Sequence, residues 1–202
     1  MLERAACALH CDMAQAAAAS TMLPGPLPLY CGRYGVDSVS EMTQLAESLR
    51  VNTTVTSLYL RFSTIGADGA TLLAQILRAN ATLRSLNLER SGICIGDAGA
   101  TQLAESLRVN ATLTSLKLNF CMIGDTGATQ LAHGLRVNTA LTSLDLINNE
   151  IGVAGATQLI NSLRDKTTQT LTSLNLIENL IGDADARSLI QAACPPQCTL
   201  RL

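Results

Sequence analysis

Tryptophan is absent from this sequence and only five aromatic residues occur, two Phe and three Tyr, so a core must be filled by aliphatic side chains. Charge is sparse too. Only 15% of the 202 residues are Asp, Glu, Lys or Arg, against 48% hydrophobic, which is the balance of a folded chain and not of a disordered one. The formal net charge of −2 supplies no overall basic field, which makes nucleic acid or an anionic membrane a poor default partner. No apolar run approaches the roughly 18 residues that a spanning helix needs. The only histidines are His10 and His133, too few for a convergent acid–base site, so an enzyme is not expected.

Glu3, Arg4, His10, Asp12 and Gln15 interrupt the N-terminal stretch MLERAACALHCDMAQAAAASTM before an export signal can form, and it has too few arginines and too many acids for a mitochondrial presequence. The cytosol is the expected compartment. Seven cysteines (Cys7, Cys11, Cys31, Cys94, Cys121, Cys194, Cys198) are odd in number and lack framework spacing, which fits reduced thiols. CALHC groups Cys7, His10 and Cys11, and CPPQC groups Cys194 and Cys198. Zinc would need four such ligands in one tetrahedron. The two groups lie at opposite ends of the chain, so neither metal nor cofactor is expected.

What is present is repetition. VTSLYL, LRSLNL, LTSLKL, LTSLDL and LTSLNL each open a copy of one unit, with equivalent leucines at Leu58, Leu86, Leu116, Leu144 and Leu174, spaced 28, 30, 28 and 30 residues apart. Each copy holds two hydrophobic periods. In LTSLKL the alternation predicts a strand with Leu116 and Leu118 inward and Ser115 and Lys117 outward. In GATQLAHGL, Ala128, Leu131, Ala132 and Leu135 follow the spacing of one helical stripe. Gly124 permits a tight turn, and Asp125 is expected to cap its own helix, as are Asp97 and Asp183, while Ala67 and Val153 lose that cap. Asn52, Asn80, Asn110 and Asn138 end the helices, where Asn tolerates the left-handed conformation.

Such a unit cannot bury its apolar faces alone, so the copies must stack, strands beside strands and helices beside helices. Strands at about 4.8 Å and helices at about 10 Å cannot stack straight. The expected fold is therefore an α/β solenoid, a horseshoe arc with parallel strands on the concave face and helices on the convex face. Ser63, Ser91, Cys121, Asn149 and Asn179 recur where the chain leaves the strand, and are expected to form an internal ladder to the turning backbone.

The pattern LxxLxL followed by Asn or Cys, then IGdxGAxxLAxxL, resembles the ribonuclease-inhibitor-like class of leucine-rich repeats, also found in the recognition halves of nucleotide-binding immune receptors. The resemblance covers residues 51 to 193 and reaches back to Ser38, which is spaced as a capping box with Glu41. It departs at Ser63, Ser91 and Asp185. Residues 38–202 form the repeat domain on this reading: a first helix half, five full repeats, and a terminal strand in CTLRL. Residues 1–37, with an Ala-rich helical stretch and the breaker PGPLP, are a cap or a tail. The resemblance implies a scaffold whose members share architecture without sharing partners.

A non-catalytic module that binds a protein on its concave face is the expected function. The alternatives are a regulator of a small GTPase, of the activating type, and a structural assembly subunit. The outward column between the strand leucines reads Tyr59, Asn87, Lys117, Asp145, Asn175, and the next reads Arg61, Glu89, Asn119, Ile147, Ile177. Beside them Ser57, Ser85, Ser115, Ser143 and Ser173 stay constant. Variation beside a constant framework fits a recognition face, and neutral drift on a solvated sheet gives the same picture. Tyr59, Phe62 and Phe120, with Arg90 on the rim, are the residue types that most often anchor interfaces. Leu200 and Leu202 take the slots of Leu174 and Leu176, so residues 199 to 202 are expected to add a strand whose open edge permits self-association.

Overall fold

A computed structural model of the chain describes residues 27–30, 39–60, 66–89, 95–164, 170–182 and 184–202. Strands β1 (Leu27–Tyr30), β2 (Val55–Tyr59), β3 (Ser85–Asn87), β4 (Ser115–Lys117), β5 (Ser143–Asp145), β6 (Ser173–Asn175) and β7 (Thr199–Arg201) form one sheet in sequence order, every pairing parallel. Between consecutive strands run α1 (Val39–Val51), α2 (Gly66–Ala79), α3 (Gly96–Leu107), α4 (Asp125–Leu135), α5 (Val153–Ser162) and α6 (Ala184–Ala193). The result is the α/β solenoid that the two alternating periods require.

The registers follow the repeats residue for residue. Leu58, Leu86, Leu116, Leu144, Leu174 and Leu200 pair in series, and all but Leu200 are wholly inaccessible to solvent. Ala128, Leu131 and Ala132 of α4 are equally inaccessible, so the helical stripe faces the strand leucines as its spacing predicts. The terminal strand forms at Thr199–Arg201, pairing Leu200 with Leu174.

Within residues 1–37, where a cap or tail was expected, Leu27–Tyr30 pair with Val55–Tyr59 as a further strand. Proline in the breaker obscured it. Pro28 cannot donate to a ladder, but an edge strand needs donors on one side only, and the register slips between Leu27 and Pro28.

The asparagines at the helix ends act differently from the expectation. Asn52, Asn80, Asn110 and Asn138 are buried, and the non-glycine residues with positive φ among those described are Phe120, Met122, Asn148 and Glu178 instead. Oδ1 of Asn80 accepts from the Thr82 and Leu83 amides at 2.9 and 2.7 Å, and Nδ2 donates to the Leu49 and Asn52 carbonyls of the preceding repeat at 2.8 and 3.1 Å. Asn138 repeats this pattern, and Asn110 does so with the Leu77 carbonyl of the preceding repeat and the Thr112 hydroxyl as its acceptors. They are rungs that satisfy the helix-to-strand turn on one side and the neighbouring repeat on the other.

A second correction concerns the aspartates. Oδ1 of Asp125 accepts from the amides of Gly152 and Gly155 at 2.7 and 2.8 Å, and Oδ1 of Asp97 from those of Gly124 and Gly127 at 2.8 and 2.9 Å. Each carboxylate therefore caps the helix of the next repeat, not its own. Glycine is needed there because a Cβ on Gly127 or Gly155 would lie 2.6 or 2.7 Å from the capping oxygen. Asp183 lies outside the described residues.

The ladder expected beyond the strands forms at its three described positions. Asn149 Oδ1 accepts from the Cys121 and Ile123 amides at 3.1 and 3.0 Å, while its Nδ2 donates to the Leu118 and Leu146 carbonyls, both at 2.9 Å. Asn179 bonds to the Leu146 and Leu176 carbonyls in the same way, and the Cys121 thiol reaches the Leu88 carbonyl. Ser63 and Ser91 lie outside the described residues.

Candidate functional site

The strand face presents the two columns whose composition varies. Because each strand end is pinned by ladders on both sides, the outward side chains stand at fixed positions on neighbouring strands about 4.8 Å apart. In the first column Lys117 is exposed, Tyr59, Asp145 and Asn175 are half-buried, and Asn87 is only 6% exposed. Asn87 is thereby removed from the candidate set, since its Oδ1 accepts from the Glu89 amide at 2.9 Å. In the second column Glu89, Ile147 and Ile177 are half-buried. Asn119 is 5% exposed, and its Oδ1 accepts from the Ile147 amide at 2.9 Å. Both asparagines belong to the scaffold.

Arg61, Phe62 and Arg90 lie outside the described residues. Of the expected aromatic cluster, Tyr59 ends β2 and Phe120 follows β4, so β3 stands between them. Phe120 is half-buried with φ at 58°, a conformation costly for a bulky residue and shared by Asn148 and Glu178 at the equivalent positions. The amides of Phe120 and Asn148 donate to the Ile147 and Ile177 carbonyls, both at 3.0 Å, which holds the left-handed bend along the rim.

Lys117 and Asp145 pair in register across β4 and β5 with opposite charge. Asp145 Oδ1 is nevertheless buried without a hydrogen-bond partner, so Lys117 does not satisfy it. An unsatisfied buried carboxylate oxygen costs free energy. Arg201, exposed and paired in register with Asn175, continues this column on β7. The terminal strand carried the signal for it, as the residue between Leu200 and Leu202.

Among the described residues the remaining reactive groups do not converge. Burial, and after it the charge of Glu89, pushes the Cys121 thiol up to about 12, which makes it inert at neutral pH. His133 is exposed on α4. Burial raises the Cys194 and Cys198 thiols as well, and Cys194 Sγ donates to the Cys198 carbonyl at 3.5 Å. Among the described residues no group of three or more His, Cys, Asp or Glu is placed to hold a metal ion. A groove of about 390 Å³ between α1 and α2, lined by residues including Thr43, Glu47, Arg50 and Gln75, lies on the helix side, away from these columns.

The family model described as the leucine-rich repeat matches residues 51–74, 79–104, 109–132 and 137–159. The chain is a leucine-rich-repeat protein. Among solved structures this leucine-rich-repeat chain is similar to the Leiomodin-1 actin-binding site 2, with a TM-score of 0.61 at 18% identity, over 78% of this chain and 88% of that one. At that identity the likeness establishes the arc of parallel strands and outer helices, and nothing of the surface. No curated protein matches the sequence.

Proposed function

We propose that this leucine-rich-repeat protein is a non-catalytic module that binds a protein partner on its concave strand face. The observation that carries the reading is the first column, where Tyr59, Lys117, Asp145 and Asn175 change chemistry from strand to strand beside uniform serines, and Arg201 beside Thr199 continues it. Half-buried Ile147 and Ile177 add apolar area beside that column. With Asn87 and Asn119 set aside, the binding set is Tyr59, Glu89, Lys117, Phe120, Asp145, Ile147, Asn175 and Ile177, extended by Arg201. Arg61, Phe62 and Arg90 remain with it on the sequence reading alone.

The similar leiomodin domain is an actin-binding site, so actin is the first partner to assay. Cosedimentation with filaments and gel filtration with monomeric actin test it directly. If actin does not bind, affinity capture followed by reconstitution with the purified partner gives the same test. Lys117→Glu combined with Asp145→Arg should abolish binding while leaving the melting temperature within a few degrees of wild type. Full binding by that double variant would remove the strand face from the function. Cytosolic residence, read from the N-terminal stretch and the thiols, belongs to this reading and is checked by localising a tagged chain.

A further inference from the structure

The net charge of −2 averages over two edges of unlike sign. Arg50, Arg78, Arg108, Arg136 and Arg164 occupy one repeat position at the C-terminal ends of α1 to α5, and all are exposed. Arg84, exposed just ahead of β3, stands at the same edge. Among the described residues the carboxylates at this edge are Glu47 and Glu105, and Glu105 meets Arg108 at 3.9 Å with both side chains about half exposed, a geometry of little energetic consequence. Asp68, Asp97 and Asp125 sit in the first turns at the opposite ends of their helices. A helix such as α3, of 12 residues, separates those ends by about 18 Å, more than two Debye lengths in physiological salt. The arginine edge therefore presents its own positive field.

Apolar groups accompany it. Val51, Val109 and Val137 each follow one of these arginines and are 60%, 67% and 48% exposed, three of the six large hydrophobic residues exposed in the described chain. The helix dipole favours cations at a C-terminus, and its roughly half a negative charge per helix offsets part of each arginine. It gives no reason for a recurring exposed valine beside them. The edge is also level. Ser57, Ser85, Ser115, Ser143 and Ser173 pair without stagger, so equivalent helix ends fall on one flat side of the arc, about 10 Å apart.

We propose that this arginine and valine edge is a docking surface for an anionic lipid bilayer. A plane meets every arginine of a level arc at once, while an extended acidic peptide or a nucleic acid strand must bend along the arc to do so. Arginines engage the phosphate headgroups and valines enter the headgroup boundary, the division of labour of peripheral membrane surfaces. The sequence-level expectation against an anionic membrane rested on the summed charge, which conceals the segregation. The proposal stands apart from the strand-face reading.

The test is cosedimentation of the full chain with phosphatidylserine–phosphatidylcholine vesicles and with phosphatidylcholine alone. Binding should require phosphatidylserine and weaken as salt rises. Arg78→Glu with Arg108→Glu should lower partitioning by at least about tenfold, as each arginine near such a surface contributes several-fold. Arg78→Gln with Arg108→Gln serves if the acidic pair fails to fold. Val109→Ser with Val137→Ser should weaken binding at unchanged charge. Lys117→Glu with Arg201→Glu makes the same change in net charge on the strand face and should leave partitioning unaltered. Equal loss from that pair, absence of binding to either vesicle, or capture of soluble polyglutamate or RNA in preference to vesicles would overturn the proposal.

Discussion

Replacing Asn138 by alanine and by glycine separates two roles that an asparagine at a helix end can have. As a left-handed stop, the residue would tolerate glycine without loss, because glycine adopts that conformation at no steric cost. As a rung, it would tolerate neither. Asn138 is 3% exposed, Nδ2 donates to the Leu107 and Asn110 carbonyls at 2.7 and 2.9 Å, and Oδ1 accepts from the Ala140 and Leu141 amides at 3.0 and 2.7 Å. Truncation strips four backbone groups of a partner, at about 1–3 kcal/mol for each group left dry. Water entering the vacated space recovers part, so a net loss of about 3–4 kcal/mol is expected for alanine, and at least as much for glycine, which adds backbone entropy. Urea titration followed by far-UV circular dichroism reads the shift in midpoint at constant slope. A glycine variant as stable as wild type would refute the ladder and restore the helix stop. Asn138→Asp should fall between, since it keeps the acceptor and loses the donor.

Leu116→Ala, at a wholly inaccessible strand position, should cost about 2–5 kcal/mol, and a loss below about 1 kcal/mol would mean that the strand does not face the core. Asp125→Ala should cost about 0.5–2 kcal/mol and accelerate amide exchange at the start of α5, whose Gly152 and Gly155 amides it holds; acceleration confined to α4 would return the cap to its own helix. Cys121 should resist a thiol reagent at neutral pH while the chain is folded. Its thiol is raised from 9.0 to about 12, so the native state keeps a proton that the unfolded chain releases: its contribution is complete below pH 9.0 and declines as the pH climbs toward 12. Cys121→Ala should flatten that alkaline slope.

The sequence by itself determined the repeat, the alternation of strand and helix, the inward leucines and the closing strand at Thr199–Arg201. These are one-dimensional signals: a period of two, a period of 3.6, and a recurrence of 28 or 30 residues, each readable without knowing what touches what. It located the polar positions too, but assigned Asn138 and Asp125 to their own helices, because propensity rules describe a helix alone. Only stacking decided otherwise. A neighbouring repeat brings the Leu107 carbonyl to Asn138, and the next helix brings the Gly152 and Gly155 amides to Asp125, partners 27 to 31 residues away. Stacking also withdrew Asn87 and Asn119 from the binding columns, since an outward strand position does not reveal that a side chain folds back onto its own or a neighbouring backbone. Tyr59, Lys117 and Asp145 were legible as a column for the opposite reason: parallel strands in register convert a fixed sequence period directly into adjacency. The separation of charge onto two edges was invisible in the sum of −2, because charge adds along a sequence while a field depends on distance, and the level stacking of the repeats sets the distances.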